Sequence, residues 1–310
     1  KYASTQSFQC PQHVSVDFES GLIFLPKFKS GIKAKFHRQF KSEIKTVTVK
    51  RKPSGKYYAS ILVDEKKEAI LSVPIVSEQT LGIDLGLTHF MIDSEGSRVD
   101  NPRFLKQVLE RLAIAQKRLA RQVNGSKNRQ KQKLKVALIH EKVTNTRLDF
   151  LHKVSAELVY KNHATSFALE DLNIKGMVKN RKLSRVITDV SWGKFIDLLT
   201  YKSLWIGKNV LKIGRFEASS KVCYLCGHKL DKLPLSVRHW DCPACDAVLD
   251  RDINAAKNIK EIAIADALGQ SVCIKSSPET RPVSAGVSAK GVDLFRHGSQ
   301  EASTTAALAV

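Results

Sequence analysis

Residues 80–86 read Thr80-Leu81-Gly82-Ile83-Asp84-Leu85-Gly86, an apolar stretch that predicts a β-strand ending at an acid. Far downstream, Phe167-Ala168-Leu169-Glu170-Asp171 closes a second predicted strand in the same way. A third acid, Asp252, opens a predicted helix. A carboxylate next to buried strand residues costs free energy unless it is exposed, paired or bound to a metal. The three acids are therefore candidates for one metal centre.

Divalent-cation chemistry explains why such acids would be placed together. Converging carboxylates repel one another and take up protons, and a cation removes that repulsion. Mg²⁺ binds a few carboxylates together with water and phosphate oxygens. Two such ions, about 3.5–4 Å apart, stabilise both the attacking and the leaving oxygen of a phosphodiester displacement. Taken singly, each acid also fits a turn or a cap, and Asp252 in particular could cap its helix.

The charge of the chain points to a polyanionic partner. The 310 residues include 51 Lys and Arg against 30 Asp and Glu, a net charge of +21. Nucleic acid is the expected partner, and the alternative is a basic protein kept in solution by self-repulsion. A hydrophobic content of 43% excludes wholesale disorder. Neither a membrane-spanning apolar run nor a secretory signal is found, so we expect a cytoplasmic protein with no membrane partner.

Four of the six cysteines have the spacing of a zinc ribbon. Cys223 and Cys226 form one CxxC knuckle, and Cys242 and Cys245 form a second one after fifteen intervening residues. Gly227 suits the tight turn that a knuckle requires. Four thiolates leave no position for water, so we predict a structural Zn²⁺. The alternatives are two disulfides or redox motifs.

The N-terminal region is predicted to be β-structure. Residues 22–26, 44–50 and 57–63 are strand-like, and Lys52-Pro53-Ser54-Gly55-Lys56 forms a turn between the last two. Interleaved basic residues favour a small basic β-barrel or curved sheet, and a plain solvated β-module is the alternative.

A long helical hairpin is predicted over residues 103–162. Its inward apolar positions are Leu105, Leu109, Leu112, Leu119, Val123, Leu134, Leu138, Leu148, Leu151 and Leu158. Four basic residues near its turn are candidates for contact with a nucleic-acid backbone: Lys127, Arg129, Lys131 and Lys133. A coiled-coil spacer is the alternative. Residues 192–204 predict an amphipathic helix, and the chain beyond about 276 predicts a flexible tail.

The order of these motifs resembles the TnpB (OrfB) family of insertion-sequence proteins, which are related to type V CRISPR nucleases. The resemblance rests on four segments, in this order: Gly82-Ile83-Asp84-Leu85-Gly86-Leu87, Leu169-Glu170-Asp171-Leu172-Asn173, the cysteine ribbon preceded by Ser219-Ser220-Lys221, and Asp250-Arg251-Asp252-Ile253-Asn254-Ala255-Ala256-Lys257-Asn258-Ile259. It covers nearly the whole chain.

The resemblance implies an α/β plus β architecture with an RNase H-like (RuvC) nuclease domain. The implied parts are a partial wedge-type β-barrel over 1–78, the first nuclease part over 79–215 with its hairpin, the ribbon over 216–248, the final nuclease part over 249–268 and a flexible tail over 269–310. Asp84, Glu170 and Asp252 would be catalytic and would bind two Mg²⁺ ions. Asp250 is the reserve for the third acid.

The implied activity is RNA-guided cleavage of double-stranded DNA, with a guide RNA from the transposon end. The implied setting is a bacterial or archaeal cytoplasm, near the nucleoid, with the protein acting as a monomer on its RNA and a dimer as the alternative. Family members usually carry a further N-terminal segment, so a truncated chain is expected. The other hypotheses are a nuclease-silent RNA-guided DNA binder, a strand-transferring transposase, whose acids run Asp, Asp, Glu, and a structural zinc-ribbon protein.

Overall fold

The computed structural model describes residues 6–66, 70–215, 217–234 and 236–269, together with the backbone of Ala306–Ala307. These residues form two compact units. The first contains the described residues up to 66, residues 108–145 and the Ala306–Ala307 strand. The second contains residues 70–107 and the described residues from 146 to 269. The two units are groups of residues that lie close together in space, and they do not test the domain boundaries predicted from the motifs. Those boundaries stay predictions.

The described chain begins with nine strands, and helices and strands follow in mixed order. The strands are β1 Gln6–Cys10, β2 Ser15–Asp17, β3 Leu22–Phe24, β4 Ile32–Lys33, β5 Glu43–Arg51, β6 Tyr57–Asp64, β7 Thr80–Leu85, β8 His89–Asp93, β9 Arg98–Asp100, β10 Ser166–Glu170, β11 Asn209–Ile213, β12 His239–Asp241, β13 Val248–Asp250 and β14 Ala306–Ala307. The helices are α1 Phe104–Ala120, α2 Lys127–Ala156, α3 Ile174–Met177, α4 Ser184–Val190, α5 Trp192–Leu204 and α6 Arg251–Ala267.

Two antiparallel sheets make up the β part of the first unit. One sheet has the order β1-β5-β6-β14 and the other has the order β2-β3-β4. Val47, Ile61 and Ile23 are almost fully buried in the core of this unit. The predicted strands are confirmed, but the predicted barrel is wrong: no closed barrel forms within the described residues, because the two sheets remain separate ladders.

A turn of the first unit is fastened to the hairpin by a single carboxylate. Glu141 of α2 has a side chain that is only 8% exposed. It accepts hydrogen bonds from the hydroxyls of Ser54 and Tyr58, at 3.1 and 3.2 Å. It also forms an ion pair with Lys56 at 3.1 Å. Burial pushes the pKa of Glu141 upward, but these hydrogen bonds outweigh it and hold the pKa below its usual range.

The second unit is built on a mixed five-stranded sheet. Its order is β11-β10-β7-β8-β9, with β10 parallel to both of its neighbours and β7, β8 and β9 running antiparallel. Helix α5 matches the predicted range, and Trp192 and Phe195 are buried in the core. Helix α6 packs across β7 and β10. The two strands that end in acids therefore lie side by side at the centre of the sheet.

The helical hairpin is confirmed, but part of its predicted apolar stripe faces outward. Leu112 and Leu151 are buried as expected. Leu134 and Leu138 are each 42% exposed, and Val123 lies in the turn after α1 at 75% exposure. Helix α1 ends at Ala120, so Val123, which the predicted stripe includes, lies beyond the end of that helix.

Most of the predicted flexible tail lies outside the described residues. The exception is the backbone of Ala306–Ala307, which pairs with β6 opposite Ile61 and Ser60. Cys273 also lies outside the described residues. Cys10 is a free thiol buried in the core of the first unit.

Candidate functional site

The three acids singled out in the sequence line one cavity of about 320 Å³. Asp84 lies in β7 and Glu170 is the last residue of β10. The parallel register pairs Ile83 with Leu169, so the residues that follow them, Asp84 and Glu170, stand beside one another. Asp252 comes from the first turn of α6. Three segments that are far apart in sequence thus bring one carboxylate each to the same place.

Close packing of α6 on β7 brings Asp252 to the strand ends. Gly82, two residues before Asp84, has no side chain in the way. A Cβ atom there would lie 1.9 Å from the carbonyl oxygen of Ala256. The helix backbone therefore lies directly on the strand backbone, which only glycine permits.

Asp250 and Asp252 have different structural roles. The Asp250 side chain is the helix cap, because it accepts hydrogen bonds from the backbone N–H groups of Asp252 and Ile253. It is also bound by Arg98 at 2.7 Å. The interpretation of Asp252 as a cap is therefore wrong. Its carboxylate is left free of the helix backbone and lines the cavity, as the choice of Asp252 over Asp250 requires.

The ribbon contributes a positively charged side chain to the cavity. Arg238 donates from Nη1 to both carboxylate oxygens of Asp252, at 3.3 and 3.2 Å, and from Nη2 to the Thr88 hydroxyl at 3.2 Å. Arg251 fixes this part of the ribbon to α6. Its Nη1 donates to the Pro234 carbonyl and its backbone N–H to the Arg238 carbonyl.

Negative charge accumulates around Asp84. Burial and the charges of Glu170 and Asp252 raise the pKa of Asp84 to about 7, against the opposing charges of Arg251 and Arg238. A carboxyl group in this position is poorly stabilised as an anion. Oxygen donors with an uncompensated negative charge are the donor set that Mg²⁺ prefers. The residues present therefore fit a divalent cation.

The spacing of the carboxylates differs from that of the cysteines. Within the part of the chain that the structure describes, Cys223, Cys226, Cys242 and Cys245 are the one group of three or more potential ligands whose donor atoms all lie within 4.8 Å of one another. The three carboxylates share the cavity without approaching that closely. Mg²⁺ commonly keeps several of its waters, which bridge such gaps.

The four cysteines form two matching knuckles. The N–H of Gly227 bonds to the carbonyl of Cys223, and the N–H of Asp246 bonds to that of Cys242, each at 2.8 Å. Both turn residues have positive φ, +78° at Gly227 and +54° at Asp246. The thiols stand as close as 3.5 Å, between Cys226 and Cys242. No disulfide joins them, and the geometry suits a four-thiolate metal site such as zinc.

The predicted basic contacts on the hairpin divide into two kinds. Lys127, Lys131 and Lys133 are exposed near the turn. The guanidinium of Arg129 instead donates to the carbonyls of Leu119 and Gln122, at 2.8 and 2.9 Å, and so closes the turn between α1 and α2. The Arg129 side chain is thus already committed to the hairpin.

Sequence reasoning missed two residues at this site, Arg238 and Ser219. The Ser219 hydroxyl donates to Glu170 at 2.5 Å, and both residues line the cavity. Ser219 did carry a signal, since it opens the Ser219-Ser220-Lys221 segment before the ribbon. Arg238 carried none, because its place depends on how the ribbon folds against α6.

Two family models match this chain in the order of its motifs. Residues 60–181 match the OrfB_IS605 model, described as "Probable transposase", and residues 192–259 match the Cas12f1-like TNB domain. The chain belongs to the TnpB (OrfB) family. The matched ranges contain Asp84, Glu170, the four cysteines and Asp252.

The matches to described relatives include most of this chain but a smaller share of each relative. It is 40% identical over 232 residues to a candidate RNA-guided DNA endonuclease of Streptomyces pristinaespiralis, across 75% of this chain and 55% of that protein. It is 33% identical over 275 residues to InsQ of Escherichia coli strain K12, which has the same description, across 84% of this chain and 66% of InsQ. The chain thus spans between about half and two thirds of these relatives.

A cryo-EM structure of a CRISPR-Cas12f ternary complex aligns with 89% of this chain and 61% of its own, at a TM-score of 0.49 and 18% identity. No helix among the described residues is long and apolar enough to cross a membrane.

Proposed function

We propose that this chain is an RNA-guided DNA endonuclease that hydrolyses phosphodiester bonds at the cavity lined by Asp84, Glu170 and Asp252. The observation that carries the proposal is the meeting of these three acids, from three distant segments, around an Asp84 whose anion is poorly stabilised. A structural protein gains nothing from that arrangement. The descriptions of the relatives supply the reaction class.

The chain's own residues supply the ligands for the metal ions and a positively charged side chain. Asp84 and Glu170 offer oxygens from adjacent strand ends, and Asp252 offers a third from α6. Bound Mg²⁺ ions would activate the attacking water and stabilise the leaving oxygen. Arg238 pairs with Asp252, and its half-exposed guanidinium could also bind a phosphate group of the substrate.

The order of the central sheet supports an RNase H-like assignment for this unit. Numbered along the chain, its five strands lie in the order 5-4-1-2-3, with the first three antiparallel and the fourth parallel to the first. This arrangement places the ends of the first and fourth strands together, where Asp84 and Glu170 lie. The sheet is thus a platform for two of the three proposed metal ligands.

The proposed partners are a guide RNA from the transposon end and double-stranded target DNA. A net charge of +21 suits a large polyanion, and Lys127, Lys131 and Lys133 are exposed for contact with phosphates. Base pairing between the RNA and the DNA would supply the sequence specificity. Sequencing the RNA that co-purifies from cells carrying the native locus tests this part, and random cellular RNA that moderate salt removes would contradict it.

The decisive experiment compares Asp84→Ala with the wild-type chain on a guide-matched DNA duplex in Mg²⁺. We expect the variant to lose cleavage by at least about a thousandfold while its affinity for RNA and DNA stays unchanged, because the ligands are lost but the basic surfaces remain. Asp241→Ala, at an exposed aspartate of the ribbon, is the matched control. Undiminished cleavage by Asp84→Ala would refute the assignment. Guide-dependent binding by a wild-type chain that cuts nothing would favour the nuclease-silent alternative.

A further inference from the structure

Ser219 stands between the ribbon and the carboxylate cavity. Its hydroxyl donates to Oε1 of Glu170 at 2.5 Å, across 49 residues of sequence. Ser219 is buried, with 6% of its surface exposed. Hydrogen bonds from a hydroxyl to a carboxylate are short and among the stronger ones in proteins. The bond therefore restricts the orientation of the Glu170 carboxylate and leaves Oε2 as its free oxygen.

Helix α6 holds the backbone from Ser219 to Tyr224. The amide nitrogen of Asn258 donates to the carbonyls of Ser219 and Val222, at 2.7 and 2.6 Å, and that of Asn254 donates to Val222 at 2.7 Å. The Asn254 side-chain oxygen accepts from the N–H of Tyr224 at 3.0 Å. Both asparagines are buried. The segment from 219 to 224 is thus fixed to the helix that also carries Asp252.

The same segment contains the first ribbon ligand. Cys223 lies between Val222 and Tyr224, both of which are bonded to Asn254. The cluster of cysteine thiols, the Ser219 hydroxyl and the first turn of α6 are therefore connected through six residues of backbone. Ser219, which contacts Glu170, and Cys223, the first ribbon cysteine, therefore lie on one segment held by α6.

We infer that Ser219 is a positioning residue, through which the four-cysteine ribbon fixes the orientation of the Glu170 carboxylate for metal binding. The inference rests on the proposed function, because it assigns Glu170 a role as metal ligand. Partners that orient a metal ligand typically contribute about 10–100-fold to metal affinity or activity.

The test measures Mn²⁺ binding by electron paramagnetic resonance on the full chain, without nucleic acid, alongside zinc content and cleavage rate. Ser219→Ala should bind Mn²⁺ at least about tenfold more weakly while retaining its zinc. Ser219→Thr, which keeps the hydroxyl, should restore most of the affinity. Ser203→Ala is the matched control, since Ser203 is also buried but its hydroxyl has no partner among the described residues.

A double-mutant cycle separates positioning from a merely structural role. In a Glu170→Gln background, Ser219→Ala should have little further effect on Mn²⁺ affinity, because its target carboxylate is already gone. Full additivity of the two changes would overturn the inference, and so would loss of zinc from Ser219→Ala or wild-type Mn²⁺ affinity in that variant. A wild-type chain that fails to cleave, yet shows the Ser219 dependence of Mn²⁺ binding, would refute the proposed function and leave the inference standing.

Discussion

Arg238 and Asp252, fourteen residues apart in sequence, meet at the mouth of the carboxylate cavity, with Nη1 3.2 Å from Oδ2. Arg238 precedes a ribbon strand, whereas Asp252 belongs to the helix that follows the ribbon. The contact therefore exists only when the ribbon is folded against α6. On the proposed function, a divalent cation would compete with the guanidinium for the same carboxylate.

Arg238→Ala should strengthen binding of a divalent cation in the absence of nucleic acid. An ion pair with a half-exposed partner contributes about 0.2–1 kcal/mol, so its removal should tighten Mn²⁺ binding by at most about fivefold. Arg215→Ala is the matched control, because Arg215 pairs with Asp171 outside the cavity. Mn²⁺ titration followed by electron paramagnetic resonance makes the comparison. Unchanged or weaker binding would show that Arg238 does not compete with the cation.

Asp84→Asn should stabilise the metal-free protein at high pH. The pKa of Asp84 is about 7 in the fold against an ordinary value of 3.8, so the folded chain holds this proton more tightly than the unfolded chain does. The cost of the charged form therefore grows as pH rises from about 4 to 7, and is fully present above pH 7. In chelator, we expect the variant to melt at least about 2 °C higher at pH 8 and at the wild-type temperature near pH 4.

Calorimetry at several pH values checks this, with Asp241→Asn as the exposed control. A gain in melting temperature that is the same at pH 4 and pH 8 would contradict the electrostatic cause.

Cys223→Ser should release the ribbon metal and loosen the C-terminal part of the second unit. Four thiolates are needed to complete a tetrahedral zinc site, and structural zinc contributes directly to folding. Metal analysis should fall from one zinc per chain to well below one, and hydrogen exchange should rise across 219–250. Cys10→Ser, in a thiol outside the ribbon, should keep the zinc. One zinc per chain in the Cys223 variant would disprove the ribbon assignment.

Glu141→Gln should destabilise the first unit and remove part of its acid sensitivity. Because hydrogen bonds hold the pKa of Glu141 below its usual range, its charge stabilises the fold at neutral pH, and this contribution is lost as pH falls through that pKa. We expect a loss of about 1–2 kcal/mol at pH 7 and a smaller difference at pH 3. Urea unfolding measures both, and Glu110→Gln on the exposed face of α1 should have no comparable effect.

Local pattern was enough to predict the elements that carry the site. The apolar runs before Asp84 and Glu170 predicted β7 and β10, and the periodicity of residues 192–204 predicted α5. The two CxxC pairs predicted a cysteine cluster, because their chemistry depends on spacing alone. Each of these features depends on the residues of one short segment or on the spacing of a few residues.

Features that depend on distant contacts were not predictable in the same way. The exposure of Leu134 and the separation of the two N-terminal sheets depend on which surfaces pack against each other. The periodicity of a sequence does not report such packing. Ser219 and Arg238 join the cavity only because buried asparagines and Arg251 hold the ribbon to α6. The different roles of Asp250 and Asp252 depend on the residue at which α6 starts, and Asp250 is the one that accepts bonds from the first free N–H groups.

Gly82 has a consequence for how this scaffold could be engineered. With backbone resting on backbone, the gap between β7 and α6 is set by the atoms of the main chain, not by interchangeable core side chains. Redesign of the surrounding apolar residues can therefore alter stability while leaving the separation of Asp84 and Asp252 nearly constant. A single added methyl group at position 82 would act as a spacer. Substitutions of increasing size there would measure how much separation between Asp84 and Asp252 the chemistry tolerates.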